Sequence, residues 1–448
     1  MPASGGWENG VKRSLLLLLA ALLLLLLGGC GTEGSIDKLY SLPQLADEYV
    51  ELQRAIDGVL STGAVYSAPV DGVHRQSVQL CDLNGDGEEE AVAFFSTTGE
   101  KPLKIYLFRR TGGNYEKAAV IEGAGSSIES IDYEDLDGDG WMEALVGWGM
   151  GGDLKMLEVY TLKGFQLASI AAVDYSRYLT ADMNGAGRRE LLAVRRGTVE
   201  AAGSITLCSV AGDGETYTAA EKLSAGLDGI TKLTVGALKD RPCALFVEGS
   251  CQGGLVTDIL TYEDEVLKNI TLDPATGVSE GTLRSSTAAC QDLLGDGSCL
   301  IPIPRVLPAQ GETVYRVLDW YGYNSRGKRT IVTTTYHNYS DSWYLILPDS
   351  WGEISLRRED NDVGERAVVF SHWNGEGEPV TDFLVIYTLS GENRRELASR
   401  EGRSVIRSGG ETIFAAELRL SQKEWPEGPD LNWLRQNFRP IYSEWTAN

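Results

Sequence analysis

A mainly β fold assembled from repeated small sheets is predicted for this 448-residue chain, on three observations. The first is a short acidic loop. It recurs at Cys81–Ala91 (CDLNGDGEEEA), Glu134–Ala144 (EDLDGDGWMEA) and Ala181–Leu191 (ADMNGAGRREL), with a weaker copy at Gln291–Ile301 (QDLLGDGSCLI). The second is its spacing. Asp82, Asp135 and Asp182 lead the first three loops and lie 53 and 47 residues apart, while 110 residues, about two periods, separate Asp182 from Asp292. A further unit is therefore expected near 236, where Gly236–Gly249 keeps the apolar run but has lost most acidic residues. The third is the texture from about Val65 onward: short β-rich runs broken by Gly and Asp, such as Ala91–Phe95, Leu103–Arg109, Ala144–Gly147, Leu157–Leu162, Leu191–Val194 and Ala244–Val247. Five units of about 50 residues, each with about four short strands, fit between roughly 65 and 325. Such a unit cannot bury both faces of its own sheet, so neighbours must pack on one another, as in a β-propeller. About five blades are expected, or six or seven if the C-terminal region closes the ring.

The elements follow in chain order. Lys12 and Arg13 precede an apolar run, Leu15–Leu27, of 13 residues. At ~1.5 Å per residue this is too short to span a ~30 Å hydrocarbon core, so residues 1–29 read as a signal peptide. The run ends in Leu27-Gly28-Gly29-Cys30. This resembles the lipobox of bacterial lipoproteins. The resemblance implies a diacylglycerol thioether on Cys30, which becomes the first mature residue and anchors the protein extracytoplasmically on the cell membrane. Gly31–Ser35 is a small, polar tether. From Ile36 to Leu60, Leu45, Tyr49, Leu52, Ile56 and Val59–Leu60 recur at helical spacing and predict an amphipathic helix within residues 30–64. The repeats are expected to occupy 65–335 and a small α+β domain 336–448. Strands are expected there at Trp343–Leu347, Glu353–Arg357, Ala367–Ser371, Phe383–Leu389 and Glu411–Leu418, with a helix from Asp430 to Tyr442. Two further blades are the competing reading of this region. Around Leu347–Trp351 it faintly resembles the PsbP-like modules of bacterial lipoproteins, which implies no more than the fold type.

The acidic loops carry the chemistry. In the first, positions one, three, five and nine are Asp82, Asn84, Asp86 and Glu90, with the Glu88 carbonyl at seven. In the second they are Asp135, Asp137, Asp139 and Glu143, with the Trp141 carbonyl. Alternate oxygens on a tight turn converge on one point, as a calcium ion with six to eight oxygen ligands requires, and Gly at position six permits the bend. Position twelve holds Ala93 and Val146 rather than the bidentate Glu of an EF-hand. The third loop keeps Asp182, Asn184 and Glu190 but has Ala186 at five, so weaker binding is expected there. The Asp292 loop has Leu294 and Leu300 at positions three and nine and is expected not to bind. Asn-Gly and Asp-Gly are also ordinary turn dipeptides, and metal-free turns are the competing reading. The loops resemble FG-GAP and VCBS repeats, the calcium-loop blades of integrin α-subunits and many bacterial surface proteins. That resemblance covers about 260 residues and implies Ca2+ in the first two loops. The small carboxylate count predicts an affinity on the order of 10⁻⁴–10⁻³ M.

A net charge of −24 argues against nucleic acid as a partner, because phosphate binding needs clustered Lys and Arg. Beyond Cys30, six cysteines remain. Cys290 and Cys299 bracket one loop and Cys243 and Cys251 bracket an apolar segment, so either pair is a disulfide candidate; buried free thiols are the equal alternative. The three histidines, His74, His337 and His372, sit in no metal or triad motif, and there is no GxSxG elbow or Walker loop. The aromatic run Trp320, Tyr321, Tyr323 offers stacking faces but reads first as packing. The functional expectation is non-catalytic binding of a protein or cell-envelope glycan by a membrane-anchored lipoprotein. A polysaccharide-acting lyase or hydrolase and a scaffold of a membrane-surface complex are the alternatives.

Overall fold

A computed structural model describes residues 47–441 apart from 113, 199, 200, 213, 252, 310 and 377. The expected signal peptide, Cys30, the tether and the first part of the predicted helix lie outside the described residues. Asp47–Leu60 is helical, and its apolar stripe of Leu52, Ile56 and Val59 is buried. No described helix is long and apolar enough to cross a membrane.

The described residues form six antiparallel sheets of four or five strands. In the first, Val65–Tyr66 and Val78–Cys81 both lie along Glu90–Ser96, followed by Leu103–Thr111 and Asn114–Gly123. The second is a meander of Ser127–Glu134, Glu143–Gly151, Leu154–Thr161 and Ala168–Tyr175. The third contains Arg177–Ala181, Glu190–Arg195, Ser204–Val210 and Thr216–Lys222; the fourth contains Gly229–Leu238, Arg241–Cys251, Gly254–Glu263 and Val266–Asn269. The fourth is the degenerate unit expected near 236. The fifth runs Ile301–Val306, Arg316–Tyr323, Arg329–Asn338 and Trp343–Leu347. The sixth is ordered Ile354–Asp362, Glu365–His372, Thr381–Ser390, Thr412–Leu418, Arg403–Gly409.

Each middle strand is buried on both faces, which is why it reads as a continuous apolar run rather than an alternation. Along Glu143–Gly151, Ala144, Val146 and Trp148 pack against the first sheet, while Leu145 packs against the third. Leu191 and Ala193 face the second sheet; Leu192 and Val194 face the fourth. Leu245 and Val247 face the third; Ala244 and Phe246 face the fifth. A further cluster with Leu345, Leu356 and Phe370 joins the fifth to the sixth. The period of two along a strand thus joins consecutive sheets in series. The two terminal faces are covered by helices. Leu52 and Ile56 pack on Ala91, Ala93 and Phe95 of the first sheet, and the short helix Arg394–Ala398 places Leu397 and Ala398 on Val369, Val385 and Ala415 of the sixth. Among the described clusters, none joins the first sheet to the sixth.

The C-terminal region differs from expectation in three ways. The boundary at 335/336 falls inside the strand Arg329–Asn338, which pairs with Arg316–Tyr323 before it and Trp343–Leu347 after it. The expected helix Asp430–Tyr442 is confined to Leu431–Asn437, because Phe438–Pro440 is extended and pairs with Trp343–Leu345 as the outer strand of the fifth sheet. Its start was legible: the Asp430 carboxylate accepts from the Trp433 N–H at 2.7 Å, an N-cap. The strand Arg403–Gly409 and the helix Arg394–Ala398 were not anticipated.

In the sixth sheet Asp382 accepts a bidentate pair from Arg357 (2.6 and 2.7 Å), and also bonds Arg419 and Ser371, each at 2.7 Å. The Arg357 guanidinium, against some opposing desolvation, holds the Asp382 carboxyl down at about 2. A depressed carboxylate stabilises the fold above its unfolded value and loses that contribution as pH falls through the folded one. Between pH 4 and 2 this group is expected to forfeit about 2 kcal/mol. Urea titrations at stepped pH should show that acid-limb loss shrinking in Asp382→Asn.

Candidate functional site

The four loops adopt one turn, built by the leading aspartate. Asp135 Oδ1 accepts from the N–H groups of Gly138 (2.7 Å) and Asp139 (3.1 Å), and Oδ2 from Gly140 (3.0 Å). Asp82 does the same with Gly85 and Gly87, Asp182 with Gly185 and Gly187, and Asp292 with Gly295 and Gly297. The glycines at positions four and six of the second loop have φ of 76° and 89°, a left-handed region that side chains rarely enter. The Asp292 loop folds alike with its expected ligand set broken, so hydrogen bonds alone are enough to form the turn.

Two features of the loops were not read in the sequence. The residue at position two (Leu83, Leu136, Met183 and Leu293) is buried and plugs the seam between sheets. The signal was present as an apolar residue after every leading Asp. The glutamate at nine (Glu90, Glu143, Glu190) is 0–2% exposed, and its Oε2 accepts from the N–H of position two at 3.0, 2.8 and 2.8 Å. It clamps the neck of the loop from the first residue of the next strand.

The loops differ in charge at position three. Asn84 and Asn184 donate their amide Nδ2 to the other oxygen of Glu90 and Glu190, at 3.3 and 2.9 Å. Asp137 has no such donor. In the second loop Asp135, Asp137 and Glu143 each bring a carboxylate oxygen within 4.8 Å of the others. Burial, with the charges of Asp137, Asp135 and Asp139, pushes the Glu143 carboxyl up to about 7. Burial and its acidic neighbours also raise Asp137. These are hard oxygen donors in excess of local cations, and they fit a divalent ion such as Ca2+. Asp139 turns partly away: its Oδ2 pairs with Lys163 Nζ at 2.7 Å, and its Oδ1 accepts from Trp141 N–H at 2.8 Å. The Trp141 ring packs on Phe165. In the first loop Asp86 bonds the Glu88 N–H (2.8 Å), and the Glu88 side chain pairs with Arg110 at 3.2 Å. The first two loops touch, the Leu83 carbonyl accepting from Met142 N–H at 2.9 Å.

A second feature is a cavity of about 720 Å³. It is lined by Asp71 and Gly72 of the first repeat, by Asp132, Lys155 and Tyr175 of the second sheet, by Arg177 of the third and by Lys232 of the fourth. Lys155 pairs with Glu129 at 2.7 Å, and Tyr178 donates to Asp132 at 2.6 Å. Lys232 Nζ donates to the Cys290 carbonyl at 3.2 Å.

The remaining candidates are packing residues. Trp320 and Tyr323 are buried, the Trp320 indole donating to Thr335 at 2.7 Å, and Arg329 stacks over Tyr321. Burial drives His337 down to about 3, and it bonds Thr335 at 2.9 Å and stacks on Tyr344. His372 sits among Phe383 and Trp425. Cys243 and Cys251 occupy one strand, so eight extended steps hold them about 26 Å apart and they cannot pair with each other. The Cys243 thiol instead meets Met183 Sδ at 3.7 Å.

A family profile described as an FG-GAP-like repeat matches residues 82–146, which contain the first two acidic loops. No curated protein matches the chain. Among solved structures, a protein from Lactobacillus plantarum aligns over 70% of this chain and 85% of its own, at 9% identity and a TM-score of 0.25. The Tc holotoxin pore of Photorhabdus luminescens aligns over 72% of this chain but 19% of its own, at 14% identity and a TM-score of 0.16. Overlays this loose do not define a fold. The likeness that stands is local: this chain carries an FG-GAP-like repeat at residues 82–146, within a series of antiparallel sheets.

Proposed function

We propose that this chain is a lipid-anchored, extracytoplasmic binding protein that captures a polar segment of a protein or cell-envelope glycan without chemical turnover. The six sheets are read as blades of an open propeller arc capped at both ends by helices. The anchor rests on the order Leu27-Gly28-Gly29-Cys30 after an apolar run. The observation that carries the binding role is the 720 Å³ cavity where four successive repeats converge, with cations and anions from different sheets facing one space. Arg177 and Lys232 supply donors for carboxylate and hydroxyl groups, beside Tyr175 and Tyr178. Calcium belongs to the second loop first, where Asp135, Asp137 and Glu143 converge, and to the first loop through Asp82, Asn84, Asp86 and Glu90, in a supporting role.

The test is calorimetric titration of the full chain in detergent with solubilised cell-envelope glycan, alongside Arg177→Ala and Lys232→Ala. Each substitution removes a charged donor and is expected to weaken binding about tenfold, from a loss of about 1.5 kcal/mol. Unchanged affinity in both would remove the cavity as the site. Release of shortened glycan during the titration would instead favour an enzyme.

A further inference from the structure

We infer that Cys290 and Cys299 form an intramolecular disulfide that closes the neck of the fourth loop. The argument begins with equivalent positions. Leu80, Tyr133, Thr180 and Cys290 stand two residues before the leading aspartates, and Glu89, Met142, Arg189 and Cys299 stand seven after. The strand pairs at the necks are Cys81 with Glu90, Glu134 with Glu143, Ala181 with Glu190, and Gln291 with Leu300. In every loop the two positions are therefore diagonal neighbours on one face of the hairpin. In the third loop they touch, Arg189 Nε donating to Thr180 Oγ1 at 3.1 Å. In the second, Tyr133 and Met142 pack on the same cluster.

In the fourth loop both positions are cysteine. Both are free thiols in this structure, and burial with the neighbouring Cys290 thiol raises Cys299 well above its ordinary range. They lie 0% and 2% exposed in one apolar cluster with Phe246, Ile259 and Ile301. The Gln291–Leu300 bridge beside them is closed by two backbone bonds of 2.9 and 3.1 Å. This is also the loop that has lost its clamp: Leu300 replaces the buried glutamate and cannot accept from position two. A covalent link across the same neck would supply the closure that Glu90, Glu143 and Glu190 supply elsewhere.

The oxidant is a disulfide of the glutathione class. One cysteine thiolate attacks it, forming a mixed disulfide and releasing one glutathione thiol. The second thiolate then attacks the protein sulfur of the mixed disulfide, releasing the second glutathione thiol. Two protons leave the cysteines, and two electrons pass to the glutathione pair. Because both sulfurs are buried, exchange must precede packing of the fourth sheet against the fifth.

The test refolds the full-length reduced chain in detergent with a mixture of reduced and oxidised glutathione. The product is denatured in iodoacetamide and digested with trypsin. The expected peptide Ser285–Arg305, which carries both cysteines, is unalkylated and two hydrogens lighter than its reduced form, while Cys81, Cys208, Cys243 and Cys251 are alkylated. Alkylation of Cys290 and Cys299 without prior reduction would overturn the proposal, as would linkage of either to another cysteine. A second readout is thermal. Reductant is expected to lower the wild-type melting midpoint by several degrees and to leave the Cys290→Ser/Cys299→Ser pair unmoved; an equal drop in both would count against the link.

Discussion

Replacing Glu248 by alanine is expected to lower stability by about 3–5 kcal/mol, the loss seen when one partner of a buried ion pair is removed. The Glu248 and Arg284 side chains are both fully buried and paired. Arg284 also donates to Thr257 Oγ1 (3.0 Å), the Thr282 carbonyl (3.1 Å) and the Ala288 carbonyl (3.2 Å), and Glu248 accepts from the Cys290 N–H at 2.9 Å. One pair thus ties the middle strand of the fourth sheet to the segment entering the fifth, a stretch with no regular ladder of its own. Alanine would strand a guanidinium in a dry site and free the Cys290 N–H. Urea unfolding measures the change. The double variant Glu248→Leu/Arg284→Met should recover much of the loss, because an apolar pair carries no desolvation debt. A single-variant loss below about 1 kcal/mol would mean that water reaches Arg284.

The second large effect is expected at the second loop. With calcium near 5 mM and affinities on the order of 10⁻⁴–10⁻³ M, one occupied site adds about 1–2 kcal/mol and raises the melting midpoint. Asp137→Asn should reduce that rise to what the first loop supplies, by removing a carboxylate from the second, and should also stabilise the chelated protein, because it installs the amide that Asn84 and Asn184 offer to their own glutamates. The pH dependence has a defined sign. Glu143 titrates near 7 rather than 4.5, so the native state holds its proton more tightly than the unfolded chain. In chelator, stability is therefore highest on this account below pH 4.5 and falls by up to about 3 kcal/mol as pH rises through 7. Calcium, which binds the ionised carboxylates, should flatten that fall. Melts at pH 5.5 and 8, with calcium and with chelator, separate the outcomes. Identical midpoints in all four conditions would make the loops turns only.

What the sequence determined by itself was whatever repeats locally. A leading Asp and two glycines at fixed offsets specify the turn, so all four loops were found and their hairpins followed. The middle strands were legible because both faces are buried, and the helical stretches within Asp47–Leu60 and Leu431–Asn437 because their period is internal to the segment. The triad Asp135, Asp137, Glu143 was within reach for the same reason, since all three belong to one nine-residue loop.

Tertiary structure decided everything that depends on which surfaces meet. The chain beyond Asn338 completes one sheet and builds a sixth because Trp343–Leu347 finds a partner in Arg329–Asn338, and Phe438–Pro440, about 90 residues later, finds one in Trp343–Leu345. No local pattern encodes such pairings. The helices on the first and sixth sheets are a matter of which apolar face remains uncovered after the sheets have stacked. The burial of Glu90, Glu143 and Glu190 could not be read from an acidic letter in a chain carrying 64 acidic residues. A carboxylate is driven inside only where a backbone N–H already waits for it, and that N–H is placed by the folded turn.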